Sequence, residues 1–108
     1  MAYEKIPIYG ADGTTLEMDV AELRTAQQKG RLDDSFRVNL FHSIMETNRL
    51  VREEPSRREI KKRLAGTTLG DEFEVHTDDQ ITRYRASLEG LAWLYNELYK
   101  EIPPGFTG

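Results

Sequence analysis

The feature that most constrains this chain is an apolar seam near its carboxyl end. Thr77 and Gln80 supply a helix capping box just before the seam, and Pro103-Pro104 stops a helix just after it. Residues spaced alternately three and four apart form one stripe along an α-helix. The pattern therefore predicts a long helix over Asp78–Ile102, with a seam of three heptads: Ile81, Tyr84, Leu88, Leu91, Tyr95, Leu98 and Ile102.

Two interpretations of this seam stay open. It is either the core helix of a monomer or a surface through which two copies associate. Aromatic residues off the seam make the second half of the helix apolar on nearly all sides, and the rest of the chain offers little apolar surface to cover it. Because aromatic anchors dominate binding energy, we favour a homodimer or another protein partner at this surface. The residues assigned to self-association are Tyr84, Leu88, Leu91, Trp93, Tyr95 and Leu98.

One residue of this helix runs against helix propensity. Gly90 lies near its middle, where glycine costs about 1 kcal/mol relative to alanine. Because glycine has no side chain, another element can approach the helix closely at this position. Gly90 therefore predicts a close helix crossing.

The amino-terminal segment predicts a β-hairpin. Ile6 alternates with Ile8 and Leu16 with Met18, and Gly10-Ala-Asp-Gly13 supplies turn residues between them. Pro7 indicates an edge strand, since proline cannot donate to a ladder. Further along, Phe73 and Val75 alternate with acidic residues, which predicts a third short strand pairing with the hairpin.

Capping and stop residues predict three more helices. The first begins at the Asp19 cap, runs to Lys29 and stops at Gly30; the second covers Ser35–Glu54 and ends at Pro55; the third follows the Ser56-x-x-Glu59 capping box and ends at Gly66. The predicted fold is α+β and mostly α, a single domain over residues 1–108. Its hairpin, with the possible third strand, joins four helices, two of them long, and residues 103–108 form a flexible Pro/Gly tail.

Charge is distributed unevenly along the chain. The formal net charge is −4, yet the window from Arg49 to Arg63 holds seven cationic residues against three acidic ones, and Asp71–Asp79 holds five acids without a lysine or arginine. We assign partner binding to the residues that we call the basic face: Arg57, Arg58, Lys61, Lys62 and Arg63. The alternative is that the basic face binds no partner and is a solvated surface that pairs with the acidic segment Asp71–Asp79.

Nucleic acid is the second possible partner of the basic face. Its capping box and apolar spacing are typical of the first helix of a helix-turn-helix. The recognition helix of such a motif should follow after three or four residues, however, and here acids intervene instead, at Asp71, Glu72 and Glu74. Nucleic-acid binding therefore ranks below a protein partner.

The sequence carries no motif of a known chemistry. His42 and His76 are the two histidines and lack the spacing of a zinc site. The acids from Asp71 to Asp79 lack the spacing of a calcium loop. We expect no enzymatic activity, no cofactor, no metal and no small-molecule substrate.

Composition places the chain among soluble proteins. Cysteine is absent, which is compatible with a reducing cytosol. The first ten residues do not resemble a signal peptide, and no apolar run approaches the length of a membrane span. The sequence thus predicts a cytoplasmic accessory protein with regulatory contacts to other proteins.

Overall fold

The computed structural model of the chain describes residues 3–9 and 15–103. Within these ranges the chain forms a two-stranded antiparallel hairpin and four helices, two of them long, which confirms the α+β, mostly α fold class. The elements in chain order are β1 (Lys5–Tyr9), β2 (Thr15–Asp19), α1 (Val20–Gln28), α2 (Asp34–Arg63), α3 (Thr68–Glu72) and α4 (Asp78–Tyr99).

The predicted hairpin forms between β1 and β2. Lys5 pairs with Asp19 at one end, and Tyr9 pairs with Thr15 at the other. The predicted turn at residues 10–13 lies outside the described residues, as does the predicted tail from residue 104 onward. Asp19 then caps α1, accepting a hydrogen bond from the Glu22 amide at 3.1 Å. This cap joins the sheet directly to the first helix.

The two long helices lie antiparallel and enclose the core. At one end Arg37 of α2 donates to the Tyr95 hydroxyl of α4, and at the other Arg58 pairs with Asp78. Between these contacts the α4 seam packs against α2, so that its first six residues are buried and only its last, Ile102, is exposed. The core consists of Ile6, Val20, Leu40, Ile44, Leu88, Leu91, Leu94, Tyr95 and Leu98.

The hairpin covers a second side of α4 through small residues. Ser87, itself 1% exposed, donates from Oγ to the Pro7 carbonyl at 2.7 Å. At Gly90 an added Cβ would lie 2.9 Å from Cγ2 of Ile6, inside van der Waals contact. A close approach at Gly90 is therefore present, but the neighbouring element is β1 and not the helix that we predicted.

Three boundaries differ from the sequence-based predictions. The second and third predicted helices are one helix, α2, with Pro55 in its interior, so Ser56 and Glu59 form no capping box. The predicted third strand at Phe73–Val75 is wrong, because the described chain has a two-stranded sheet and instead forms α3 followed by irregular backbone. The last helix ends at Tyr99 and not at Ile102, because Lys100 adopts a left-handed conformation with φ 56°.

Candidate interaction site

The distal end of α2 projects past the core and forms a structure that we call the tip, residues 55–77. Because α4 starts at Asp78, opposite Arg58, about one and a half further turns of α2 extend beyond it. The chain then turns at Gly66, forms α3 and returns to α4 through residues 73–77. The molecule measures 57 × 26 × 26 Å, with a radius of gyration of 16.5 Å, against about 13 Å for a compact chain of 100 residues. The tip is one end of this rod.

Two cations of the basic face bind carbonyl groups of the returning chain. Lys61 Nζ donates to the carbonyls of Gly70 at 2.9 Å and Phe73 at 2.7 Å. Arg57 donates from Nη2 to the carbonyl of Glu74 at 2.7 Å, and its guanidinium lies 4.8 Å from the centre of the Phe73 ring. Hydrogen bonds with an ionised donor are the stronger kind. These side chains therefore hold the tip together.

Arg58 is a third cation used within the chain. Its guanidinium contacts the Asp78 carboxylate at 2.6 Å, the His76 carbonyl at 2.9 Å and the Glu54 carboxylate at 3.3 Å. These contacts raise the pKa of Arg58, chiefly through the hydrogen bond to Asp78. Arg58 thus joins α2, the returning chain and the start of α4.

Beneath Arg58 lies a buried carboxylate, that of Glu54. Glu54 is 2% exposed and accepts from the His76 amide at 2.7 Å and from His76 Nδ1 at 2.9 Å. Burial opposes its ionisation, but the hydrogen bonds from His76 and Arg58 outweigh burial and hold the pKa of Glu54 below its ordinary value of 4.5. An ionised carboxylate only accepts hydrogen bonds, so His76 Nδ1 carries the proton.

A glycine allows α3 to lie against the end of α2. A Cβ added at Gly70 would fall 2.1 Å from the Leu64 carbonyl oxygen, so no larger residue fits without moving the backbone. Thr67 fixes the start of α3, because its hydroxyl oxygen accepts from the Gly70 amide at 3.0 Å. The tip is thus closed by backbone contact at one end and by Glu54 at the other.

The last two residues of the basic face point to solvent. Lys62 is exposed, and its side chain has no ion-pair or hydrogen-bond partner among residues 3–9 and 15–103. Arg63 makes a long, exposed ion pair with Glu59 at 3.5 Å. Of the five residues to which we assigned partner binding, Arg57, Arg58 and Lys61 are therefore engaged within the chain, while Lys62 and Arg63 remain available.

The residues assigned to self-association are placed differently from that expectation. Five of them lie in the interior of the chain, each at most 8% exposed, where they pack against α2 and the hairpin. Trp93 is half-buried beside Tyr3, at a ring-centre distance of 5.1 Å, with Arg24 over its face. Within the described chain these five seam residues thus lie in the core. The five buried residues are Tyr84, Leu88, Leu91, Tyr95 and Leu98.

A groove runs between the distal half of α2 and the first turns of α4. Its volume is about 590 Å³, within the range of ligand-binding clefts. Apolar groups and charged groups of both signs line it. We call it the α2–α4 groove; its residues are Val51, Glu54, Pro55, Arg58, Glu59, Lys62, Asp78, Ile81, Thr82 and Arg85.

Sequence reasoning did not identify Glu54 and His76, which bind each other beneath Arg58. Glu54 stands next to Glu53, and no local pattern distinguishes the buried glutamate from the exposed one. His76 directly precedes the Thr77 cap in the sequence, but its pairing with Glu54 spans 22 residues. Their pairing could be predicted only from a helix α2 that continues through Pro55.

Comparison with protein-family models, with curated proteins and with solved structures found no match for this chain. Within residues 3–9 and 15–103, no three or more of the acidic and histidine side chains are grouped as metal ligands would be. The same part of the chain holds no helix with the length and apolarity needed to cross a membrane. The geometry of the tip and the groove is therefore the basis on which we infer a function.

Proposed function

We propose that this chain is a small, non-catalytic, cytoplasmic interaction protein, with a regulatory or accessory role, that binds another protein through its tip. The observation that carries the proposal is that the tip projects from the helix pair and is held in one shape by side chain-to-backbone hydrogen bonds from Arg57, Arg58 and Lys61. A preordered surface loses less conformational entropy on binding than a mobile one. Such a projection suits recognition.

Exposed apolar side chains support a protein partner. Ile60 is 43% exposed and Leu69 is 61% exposed, and both lie in the tip. Single exposed apolar residues are ordinary on protein surfaces, but these two accompany Lys62 and Arg63 at a projecting end. Apolar contacts with charged residues around them are the usual composition of a protein interface.

Nucleic acid is the alternative partner. It has less support because phosphate contacts dominate affinity for nucleic acids, while three cations of the basic face direct their donors to the chain itself. Lys62 and Arg63 would remain for phosphates, and the tip also carries the exposed acids of α3, Asp71 and Glu72. A polyanion gains little from such a mixed surface.

The test is quantitative affinity purification from a lysate of the source organism. Three baits are compared: the unmodified chain, the tip variant Ile60→Asp/Leu69→Asp, and Leu16→Asp as the control, since Leu16 is 67% exposed on the hairpin. We expect a protein that copurifies with the first and third baits and is at least about tenfold depleted with the tip variant, as expected when apolar anchors of an interface are lost. Circular dichroism confirms that all three are folded.

Two results would reject the proposal. One is a set of copurifying proteins that is identical for all three baits. The other is binding of a duplex DNA at physiological salt that weakens linearly in log–log plots against salt and disappears in Lys62→Glu/Arg63→Glu. The second result would establish the alternative.

A further inference from the structure

The charges of the α2–α4 groove are unequally satisfied. All three of its acids already have an arginine partner: Glu54 and Asp78 both bind Arg58, and Glu59 pairs with Arg63. Two of its cations, Lys62 on the α2 wall and Arg85 on the α4 wall, have no ion-pair partner in the part of the chain that the structure describes. The groove therefore offers positive charge on both walls.

The same groove has an apolar component between those walls. Val51 and Pro55 contribute it from α2 and Ile81 from α4. An apolar surface and two cations are thus combined in one cleft.

We propose that the α2–α4 groove binds an acidic peptide segment of the protein partner. Carboxylates of this segment pair with Lys62 and Arg85, and an apolar side chain between them packs on Val51, Pro55 and Ile81. The inference rests on the proposed function and specifies the chemistry of the partner. Charge complementarity of this kind gives specificity and raises association rates.

The mixture of charges favours a peptide over a nucleic acid in this groove. A nucleic acid brings a continuous row of phosphates, which would meet Glu59 and Asp78 as well as the two cations. A peptide brings carboxylates only at certain positions, and apolar side chains between them can pack on the apolar lining of the groove. The groove therefore matches spaced carboxylates better than a polyanion.

The experiment is selection from a random peptide library displayed on phage, with the full chain as the target. Selected peptides are then measured by fluorescence anisotropy against Lys62→Glu/Arg85→Glu. The matched control is Arg31→Glu/Arg52→Glu, which changes net charge equally at exposed residues that do not line the groove. A third variant is Ile60→Asp/Leu69→Asp, which alters the tip outside the groove.

We expect selected peptides to carry Asp or Glu on both sides of an apolar residue. Their affinity should fall at least about tenfold for the groove variant and stay within about twofold for the control, with the loss concentrated at low salt. Selection of no peptide, or of peptides without acids, overturns the inference.

Further outcomes separate this inference from the proposed function. Peptides that bind the groove variant normally but lose affinity for Ile60→Asp/Leu69→Asp overturn the groove assignment and leave the proposed function standing. A labelled duplex DNA that binds the unmodified chain at physiological salt and fails to bind the groove variant overturns both.

Discussion

At the scale of single residues, Gly90 decides how closely β1 lies on α4. The change Gly90→Ala would place a methyl group 2.9 Å from Ile6 Cγ2 in a fully buried position. Overpacking of this kind costs about 1–3 kcal/mol, and the gain of about 1 kcal/mol in helix propensity offsets only part of it. We expect a net decrease in the free energy of unfolding, measured by urea denaturation.

A double-mutant cycle with Ile6→Ala tests the cause. Removing the Ile6 side chain removes the clash, so Gly90→Ala should become neutral or stabilising in that background. Equal destabilisation in both backgrounds would show that the Ile6 contact is not the source of the effect.

Glu54 makes stability depend on pH. Its pKa is lowered in the folded chain, because hydrogen bonds from His76 and Arg58 outweigh the effect of burial. The folded state therefore binds the proton less tightly than the unfolded state, and ionised Glu54 stabilises the fold above its ordinary pKa of 4.5. This contribution disappears as the pH falls through the folded pKa.

The variant Glu54→Gln isolates that contribution. At pH 7 we expect it to reduce the free energy of unfolding by about 1–3 kcal/mol, since the amide replaces a charged acceptor. The difference from the unmodified chain should shrink steadily below pH 4.5. Denaturation midpoints across pH 3–7 measure it, and Glu53→Gln, at the exposed neighbour, is the control. A difference that does not vary with pH would contradict this account.

At the scale of elements, local signals were sufficient where a contact is local. Asp19 and Thr77 cap their helices as their sequence context predicts, and the predicted hairpin forms, with its alternating apolar residues opposite each other. The prediction that a helix ends at Pro55 was wrong, because the rule that proline ends a helix considers only the backbone. Here Glu54 on one side and Arg57, Arg58 and Lys61 on the other bind the returning chain, and these contacts offset the roughly 3 kcal/mol that an interior proline costs.

The candidate site could be predicted only in part for the same reason. The basic face was visible as a cluster of charges, but which cations bind carbonyls of residues 70–76 depends on the fold of the tip. The alternation of Phe73 and Val75 resembled a strand. In the structure Phe73 contacts Arg57 and Val75 lines a second cleft beside Lys61, so both serve helix packing and not sheet pairing.

Lys61 provides the test of the tip as an element. Lys61→Met keeps the length of the side chain but removes the donor to the Gly70 and Phe73 carbonyls. Hydrogen bonds to charged groups contribute about 1.5–3 kcal/mol, so amide hydrogen exchange over residues 66–77 should accelerate at least about tenfold, while the α4 core stays protected. Lys62→Met is the matched control and should change nothing. Equal effects of both variants would contradict the role of Lys61.

At the scale of the whole molecule, burial of the seam predicts the oligomeric state. A stable dimer through Tyr84, Leu88, Leu91, Tyr95 and Leu98 would require α2 and the hairpin to leave α4. We therefore expect light scattering behind a sizing column to give the monomer mass of 12.5 kDa at micromolar concentration, at low and high salt. A mass of twice that value would support a homodimer through the seam if it persists after substitution of the exposed apolar residues Leu16, Val38 and Ile102.

The way in which the tip is held has a consequence for its evolution. Side chains of α2 donate hydrogen bonds to the backbone carbonyls of Gly70, Phe73, Glu74 and His76. Every residue type supplies such a carbonyl. The exposed side chains of Asp71, Glu72 and Glu74 are therefore not needed to hold the tip in shape. Mutations can replace them while the scaffold persists. Recognition by the tip can thus diversify through substitution alone, without redesign of the fold that presents it.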